Sequence, residues 1–275
     1  MITAQKVKEL RERTGVGMSK CKKALEESSG DINLAIDNLR KAGMASAVKK
    51  EGREANEGLI AFAENDSHLA LVEINSETDF VAKNDKFKDY LKDMANEVLE
   101  SKPDSAASFL AQKYSKDSEM TVDQYRSTII QVLGENIIIK KLVFLKKKKD
   151  HSYGLYSHMH GKIVTCVELT ASKQEELAKD IAMHVAAEAP EYLNPKDVPE
   201  DIVNHEKEIA KSQMKGKPEN IIEKILVGKI NAFYDQVCLN KQKYIKENKL
   251  SVEQFVTNQQ KDLKVSHFIR WQIGN

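Results

Sequence analysis

Three stretches of this chain combine residue types that could do chemistry. The first is Asn75-Ser76-Glu77-Thr78-Asp79-Phe80-Val81-Ala82-Lys83-Asn84, where an acid stands beside an aromatic. A protruding phenyl ring can fill a pocket on another protein, and a neighbouring carboxylate can accept hydrogen bonds there. The same pair can also serve only the fold, with Phe80 stapling a helix to the core and Asp79 capping it. The second stretch is Tyr156-Ser157-His158-Met159-His160-Gly161. In a strand its two imidazoles would share a face, as metal ligands do, but no third ligand stands at a useful spacing, so no metal site is expected. The third is the lysine run 146–149, with Lys140 and Lys141 just before it. RNA is attracted to such charge, yet a run without interleaved aromatics at a strand's end reads more simply as a solvated surface.

Enzyme signatures fail on inspection. His205-Glu206 opens like a zinc-protease helix, but Ile209 stands where the second ligand belongs. Gly154 to Gly161 spans too many residues for a phosphate loop, and Ile163 follows Lys162 where Ser or Thr is required. No nucleophile elbow or paired-carboxylate site appears, so no catalytic residue is assigned.

The elements that must position these residues follow from periodicity. His68 to Ile74 alternates and is β-rich, and Phe87, Tyr90, Leu91, Met94, Val98 and Leu99 recur at helical spacing. The acid–aromatic stretch therefore turns a strand into a helix, with Thr78 or Asp79 as N-cap. Upstream, residues 1–42 read as three short helices, the first capped by Thr3 and the third by Asp31. Small and charged residues over 43–56 read as a linker, partly helical. Residues 58–62 and 69–74 form a hairpin around Asn65-Asp66-Ser67. Helical stretches follow near 105–114 and 122–132, then a strand from Ile137 to Leu145. A second hairpin turns at Gly161, and an amphipathic helix covers 173–188, where His184 reads as a hydrogen-bonded core histidine. Two helices over 200–215 and 218–237, joined through Gly216-Lys217-Pro218, read as an antiparallel hairpin. A last helix and strand end the sequence.

The fold class is α+β, and four parts are expected. Residues 1–54 form a three-helix bundle of the ubiquitin-associated kind with its linker. Residues 55–145 form the first half of the core. Residues 146–198 and 238–275 form the second half, and 199–237 an inserted helical hairpin. Both core halves carry antiparallel sheets.

With 43 basic and 42 acidic residues the net charge is +1, which gives no reason to expect a nucleic-acid or membrane specialist. Three scattered cysteines without a CxxC pair argue against a disulfide scaffold and a zinc cluster and fit a reducing compartment. No long apolar run spans a bilayer, and the N-terminus opens directly into a helix pattern without a targeting segment, so a cytoplasmic location is expected.

The wording is more specific than the physics. Thr78-Asp79-Phe80-Val81-Ala82-Lys83-Asn84 closely resembles the central signature of the elongation factor Ts family. Leu10-Arg11-Glu12-Arg13-Thr14-Gly15-Val16-Gly17-Met18 followed by Cys21-Lys22-Lys23-Ala24-Leu25 resembles that family's opening, and Gly134-Glu135-Asn136-Ile137 and Ile181-Ala182-Met183-His184-Val185 resemble later phrases. The resemblance covers essentially the whole chain. It implies a non-covalent guanine-nucleotide exchange factor, without cofactor, for elongation factor Tu in its GDP-bound and nucleotide-free forms. It implies that Thr78, Asp79, Phe80 and Val81 disturb the partner's magnesium and phosphate site, releasing GDP for GTP loading during translation elongation. By the same resemblance Arg11, Met18, Lys22, Leu133, His158 and Ile245 meet the partner, with His160 as a rival to His158. Some family members dimerise through the helical hairpin. Some carry a further C-terminal helix that touches the partner, so a smaller interface is expected for this chain. Two other readings remain: an RNA-binding protein using the lysines, and a metal-dependent hydrolase using His158 and His160.

Overall fold

A computed structural model of the protein describes residues 2–214 and 218–274. The chain divides into two compact units, the first comprising 1–146 with 272–275 and the second 147–271. Both are of the α+β class.

The first unit opens with α1 (Ala4–Thr14), α2 (Met18–Glu27) and α3 (Ile32–Lys50). The Thr3 hydroxyl and the Asp31 carboxylate accept backbone N–H groups of Lys6 and Leu34, which fixes the starts of α1 and α3. Val7, Leu10, Val16, Cys21, Ala24, Leu25, Ala35 and Leu39 close the bundle's own core. The linker expected over 43–56 begins later than the sequence implied, because α3 runs on to Lys50. Its small residues Gly43 and Ala47 are buried, and this face packs on the later helix α7 (Val122–Leu133), which rewards continued helix.

Strands β1 (Glu57–Glu64) and β2 (His68–Ser76) form the expected hairpin. The short helix α4 (Asp79–Lys83) and the long α5 (Asp85–Ser101) follow. Phe87, Tyr90, Leu91, Met94 and Val98 of α5 are all buried against the sheet. Helix α6 covers only Ala106–Ala111; Lys113–Tyr114, expected to be helical, is instead the strand β3, paired with β4 (Asp117–Thr121). After α7 comes β5 (Ile137–Lys146), which pairs antiparallel with β2 and makes β2 the central strand of a three-stranded sheet.

The second unit repeats this order. Strands β6 (Ser152–His158) and β7 (Ile163–Leu169) pair antiparallel, and α8 (Glu175–Glu188) packs on both. At Gly154 the strand and α8 meet backbone to backbone: a Cβ there would lie 2.1 Å from the Ala178 carbonyl carbon. Helices α9 (Glu200–Ser212) and α10 (Glu219–Val237) pack on each other. Residues 215–217, on which the expected connection through Gly216 and Lys217 falls, lie outside the described residues. Then come the ribbon β8 (Lys243–Tyr244) and β9 (Glu247–Ser251), helix α11 (Val252–Gln259) and strand β10 (Val265–Gln272), which lies beside β7. The three cysteines are free and buried. Among the described residues no helix is long and apolar enough to cross a membrane.

Candidate functional site

The strand-to-helix corner is built in two steps. Thr78 caps α4, its hydroxyl accepting the Val81 N–H at 3.4 Å, and Asn84 caps α5, its side-chain oxygen accepting the Lys86 N–H at 2.9 Å. Asn84 also closes α4, donating its own N–H to the Val81 carbonyl at 2.9 Å. A five-residue helix cannot sustain itself in water, so these end bonds define its direction. Ala82 is its buried anchor, and Val81 packs partly against the core of the first unit. Phe80 faces the other way and is 80% exposed, more than any other large hydrophobic side chain among the described residues. Beside it, Asp79 accepts a 2.6 Å hydrogen bond from Lys83 Nζ, which raises the lysine's pKa and ties the two side chains across one turn.

The remaining expected contact residues fall in both units. Arg11 and Lys22 are exposed on the bundle, and Met18 is 42% exposed at the start of α2, outside the bundle core. Leu133 is half-buried against the first core. In the second unit His158 ends β6, exposed, with its Nδ1 3.2 Å from the Tyr156 hydroxyl. Ile245, in the β8–β9 turn, is 41% exposed, and its N–H donates to His184 Nδ1 at 3.3 Å.

Two readings of the titratable clusters change. His158 and His160 do not share a strand face, because Met159, His160 and Gly161 form a tight turn with φ of 49°, 55° and 96°. The turn marked at Gly161 begins two residues earlier than alternation implied: His accepts left-handed backbone more readily than most residues, and Met does so rarely. That turn lifts Met159 to 63% exposure, a candidate contact that sequence reasoning missed. The lysines are partly committed. Lys141 lies 3.0 Å and Lys140 3.9 Å from the buried carboxylate of Glu73, and Lys148 lies 2.8 Å from Glu168. Glu168 is further bound by His151 at 2.5 Å. Burial alone would raise the Glu168 pKa; the bonds to Lys148 and His151 outweigh it and hold it low. Among the described residues no group of three His, Cys, Asp or Glu side chains could hold a metal ion. Burial pushes the Cys238 thiol up to about 11, away from nucleophilic use.

His184 is the hydrogen-bonded core histidine that its position beside the apolar stripe suggested. Both Gln242 Nε2 hydrogens go to the carbonyls of Glu188 and Gln236, so Gln242 Oε1 faces His184 Nε2 at 3.0 Å as an acceptor. Nε2 therefore carries the proton, and Nδ1 accepts from Ile245.

Fold and site together define an α+β protein of two sheet units whose most singular side chain projects outward from a capped corner. A sequence model of the family described as Elongation factor TS matches residues 77–275. The elongation factor Ts of Protochlamydia amoebophila (strain UWE25) is 59% identical over 99% of each chain. That of Chlamydia muridarum (strain MoPn / Nigg) is 41% identical over 98% of this chain and 97% of the relative. That of Trichlorobacter lovleyi is 44% identical over 96% of this chain and 89% of its own. The chain belongs to the elongation factor Ts family. It thus joins the elongation factors of protein biosynthesis, as a nucleotide exchange factor of translation elongation.

Proposed function

We propose that this protein binds elongation factor Tu carrying GDP, disturbs its magnesium and phosphate site, and so promotes GDP release for reloading with GTP. The observation that carries this reading is the 80% exposure of Phe80 on a helix capped at both ends. An exposed phenyl ring costs the free protein hydration free energy that burial in a partner recovers. Phe80 wedges between elements of the partner, Asp79 makes polar contacts beside it, and Thr78 and Val81 give the corner its shape.

No covalent step is needed. Nucleotide and exchange factor each weaken the other's hold on the partner by one coupling free energy. Each tenfold loss of GDP affinity requires about 1.4 kcal/mol of coupling, within reach of one buried aromatic. The bundle over 1–54 supplies Arg11, Met18 and Lys22 for docking, and Leu133 adds apolar contact. In the second core half, 146–198 and 238–275, His158, Met159 and Ile245 grip the partner elsewhere. The hairpin over 199–237 is an insertion between elements of the second core half. The work is done in the cytoplasm, where translation proceeds.

The test is release of labelled GDP from purified elongation factor Tu. The intact protein accelerates release, and Phe80→Ala lowers the maximal rate by about a hundredfold, as loss of a central anchor does. Equal rates for the two proteins would remove the wedge from the mechanism.

A further inference from the structure

The corner that carries Phe80 is held by a second segment. The Gly134-Glu135-Asn136 turn between α7 and β5 lies against it, with Gly134 in the left-handed region at φ 83° so that the chain can reverse. Glu135 takes both polar hydrogens of Thr78. The Thr78 N–H donates to Oε2 at 3.0 Å, and the Thr78 hydroxyl donates to Oε1 at 2.6 Å. The opposite exchange runs beside it, with the Asn136 N–H donating to Glu77 Oε1 at 2.6 Å. Asn136 Nδ2 in turn donates to the carbonyls of Glu51 at 3.3 Å and Arg53 at 2.9 Å. Two carboxylates thus lace the corner and the turn together.

The consequence lies in the single hydroxyl proton of Thr78. Once that proton is given to the Glu135 carboxylate, a lone pair of the hydroxyl is left facing the Val81 N–H, which it accepts as the cap of α4. A charge-assisted bond is about twice as strong as a neutral one and polarises the bond beyond it. Helix α4 buries Ala82 and packs Val81 only in part, so its orientation depends strongly on its caps. We propose that Glu135 is a positioning residue for exchange: it fixes the Thr78 cap, and through it the direction in which Phe80 projects. This rests on the reading of Phe80 as the wedge.

The experiment uses the full chain and elongation factor Tu with labelled GDP, titrated to obtain the maximal release rate and the half-saturating concentration separately. Glu135→Ala lowers the maximal rate on the order of tenfold, as a group displaced by a fraction of an ångström does. The half-saturating concentration stays within about threefold, since the other contacts remain. Glu135→Gln keeps one acceptor oxygen and recovers part of the rate; it also carries the test if the alanine variant fails to fold. In a Phe80→Ala background, Glu135→Ala removes nothing further. Full additivity of the two changes, or an unchanged maximal rate per folded molecule for both Glu135 variants beside a lowered one for Phe80→Ala, overturns the positioning role and leaves the wedge standing. An unaffected Phe80→Ala overturns both.

Discussion

Residues 112–125 and 242–255 carry one phrase twice. Gln112-Lys113-Tyr114 answers to Gln242-Lys243-Tyr244, and Val122-Asp123-Gln124-Tyr125 to Val252-Glu253-Gln254-Phe255. Each copy folds alike. A two-residue strand pairs with a five-residue one, in the matching registers Tyr114↔Asp117 and Tyr244↔Glu247. A capping box then opens a helix, Thr121 with Gln124 and Ser251 with Gln254. The Val122 and Val252 N–H groups each donate to the first glutamine's carbonyl at 3.0 Å. The tyrosine rings meet the helix aromatics at 4.5 and 4.2 Å. The long helices join in as well. Glu97 of α5 accepts from the Ser115 N–H at 3.1 Å, and His184 of α8 accepts from the Ile245 N–H at 3.3 Å. The central strands share Val72-Glu73-Ile74 and Val167-Glu168-Leu169, each with a glutamate bound by lysine.

The copies differ where they meet solvent. After β2 the first unit spends eight residues, 77–84, on the corner that exposes Phe80, whereas β7 reaches α8 through 170–174 with no added helix. The hairpin tip of the first unit is the polar Asn65-Asp66-Ser67; that of the second exposes Met159. The ribbon turn of the first unit presents Ser115, and that of the second presents Ile245. One scaffold thus supports two kinds of projection, and the proposed exchange surface draws on the corners rather than on the shared frame.

The comparison breaks most severely at Gly154. Its register position opposite Val167 matches that of Ala61 opposite Val72. In the second unit α8 brings its backbone down onto the strand, so a methyl at Gly154 would strike Ala178 and Lys179 main chain, whereas Ala61 already carries a methyl that packs on the first core. Gly154→Ala is expected to cost the second unit about 3 kcal/mol or more, against about 1 kcal/mol for Ala61→Gly in the first. Urea unfolding followed by circular dichroism measures both. Similar costs would mean that the two helices approach their sheets alike.

A smaller effect sharpens the contrast between projections. Ile245→Ser and Met159→Ser make the second unit's tips resemble the polar tips of the first. Each should raise the half-saturating concentration for exchange about tenfold, or about 1.4 kcal/mol, and leave the maximal rate within about twofold. A fall in the maximal rate with unchanged half-saturation would assign these side chains to displacement of the nucleotide, the role proposed for Phe80.

The long elements of this duplicated frame were legible in the sequence. The hairpins, α5, α8 and the last strand follow from alternation and helical spacing over runs long enough to show a period. The ribbons at 113–121 and 243–251 were not, because two-residue strands have no period and depend on backbone bonds to a glutamine carbonyl. The Gln-Lys-Tyr phrase was the available signal for the repeat. The corner itself was visible through its cap residue and aromatic. Glu135 was not, since its bond to Thr78 joins positions 57 residues apart. The third helix was cut short in the reading because small residues suit both linkers and close helix packing; only contact with α7 decides between them.

The smallest expected effect separates the halves by acidity. The position gripping the ribbon turn is a carboxylate, Glu97, in the first unit and an imidazole, His184, in the second. Burial lowers the His184 pKa, against the opposing pull of the Gln242 bond and the Glu188 charge. Protonating Nδ1 would also set a donor against the Ile245 N–H. The unfolded chain, with a histidine pKa near about 6.5, therefore takes up a proton that the native state refuses. Stability contributed by this site is full above that value and declines as pH falls toward the lowered native pKa. His184→Gln keeps an acceptor for Ile245 and a donor for Gln242 but cannot titrate. The stability difference between the native protein and this variant should be greatest near neutral pH and shift against the native protein as the solution is acidified. Urea midpoints at several pH values measure it. A difference that stays constant with pH would show that His184 does not couple proton uptake to unfolding, and the two halves would then be alike in this respect.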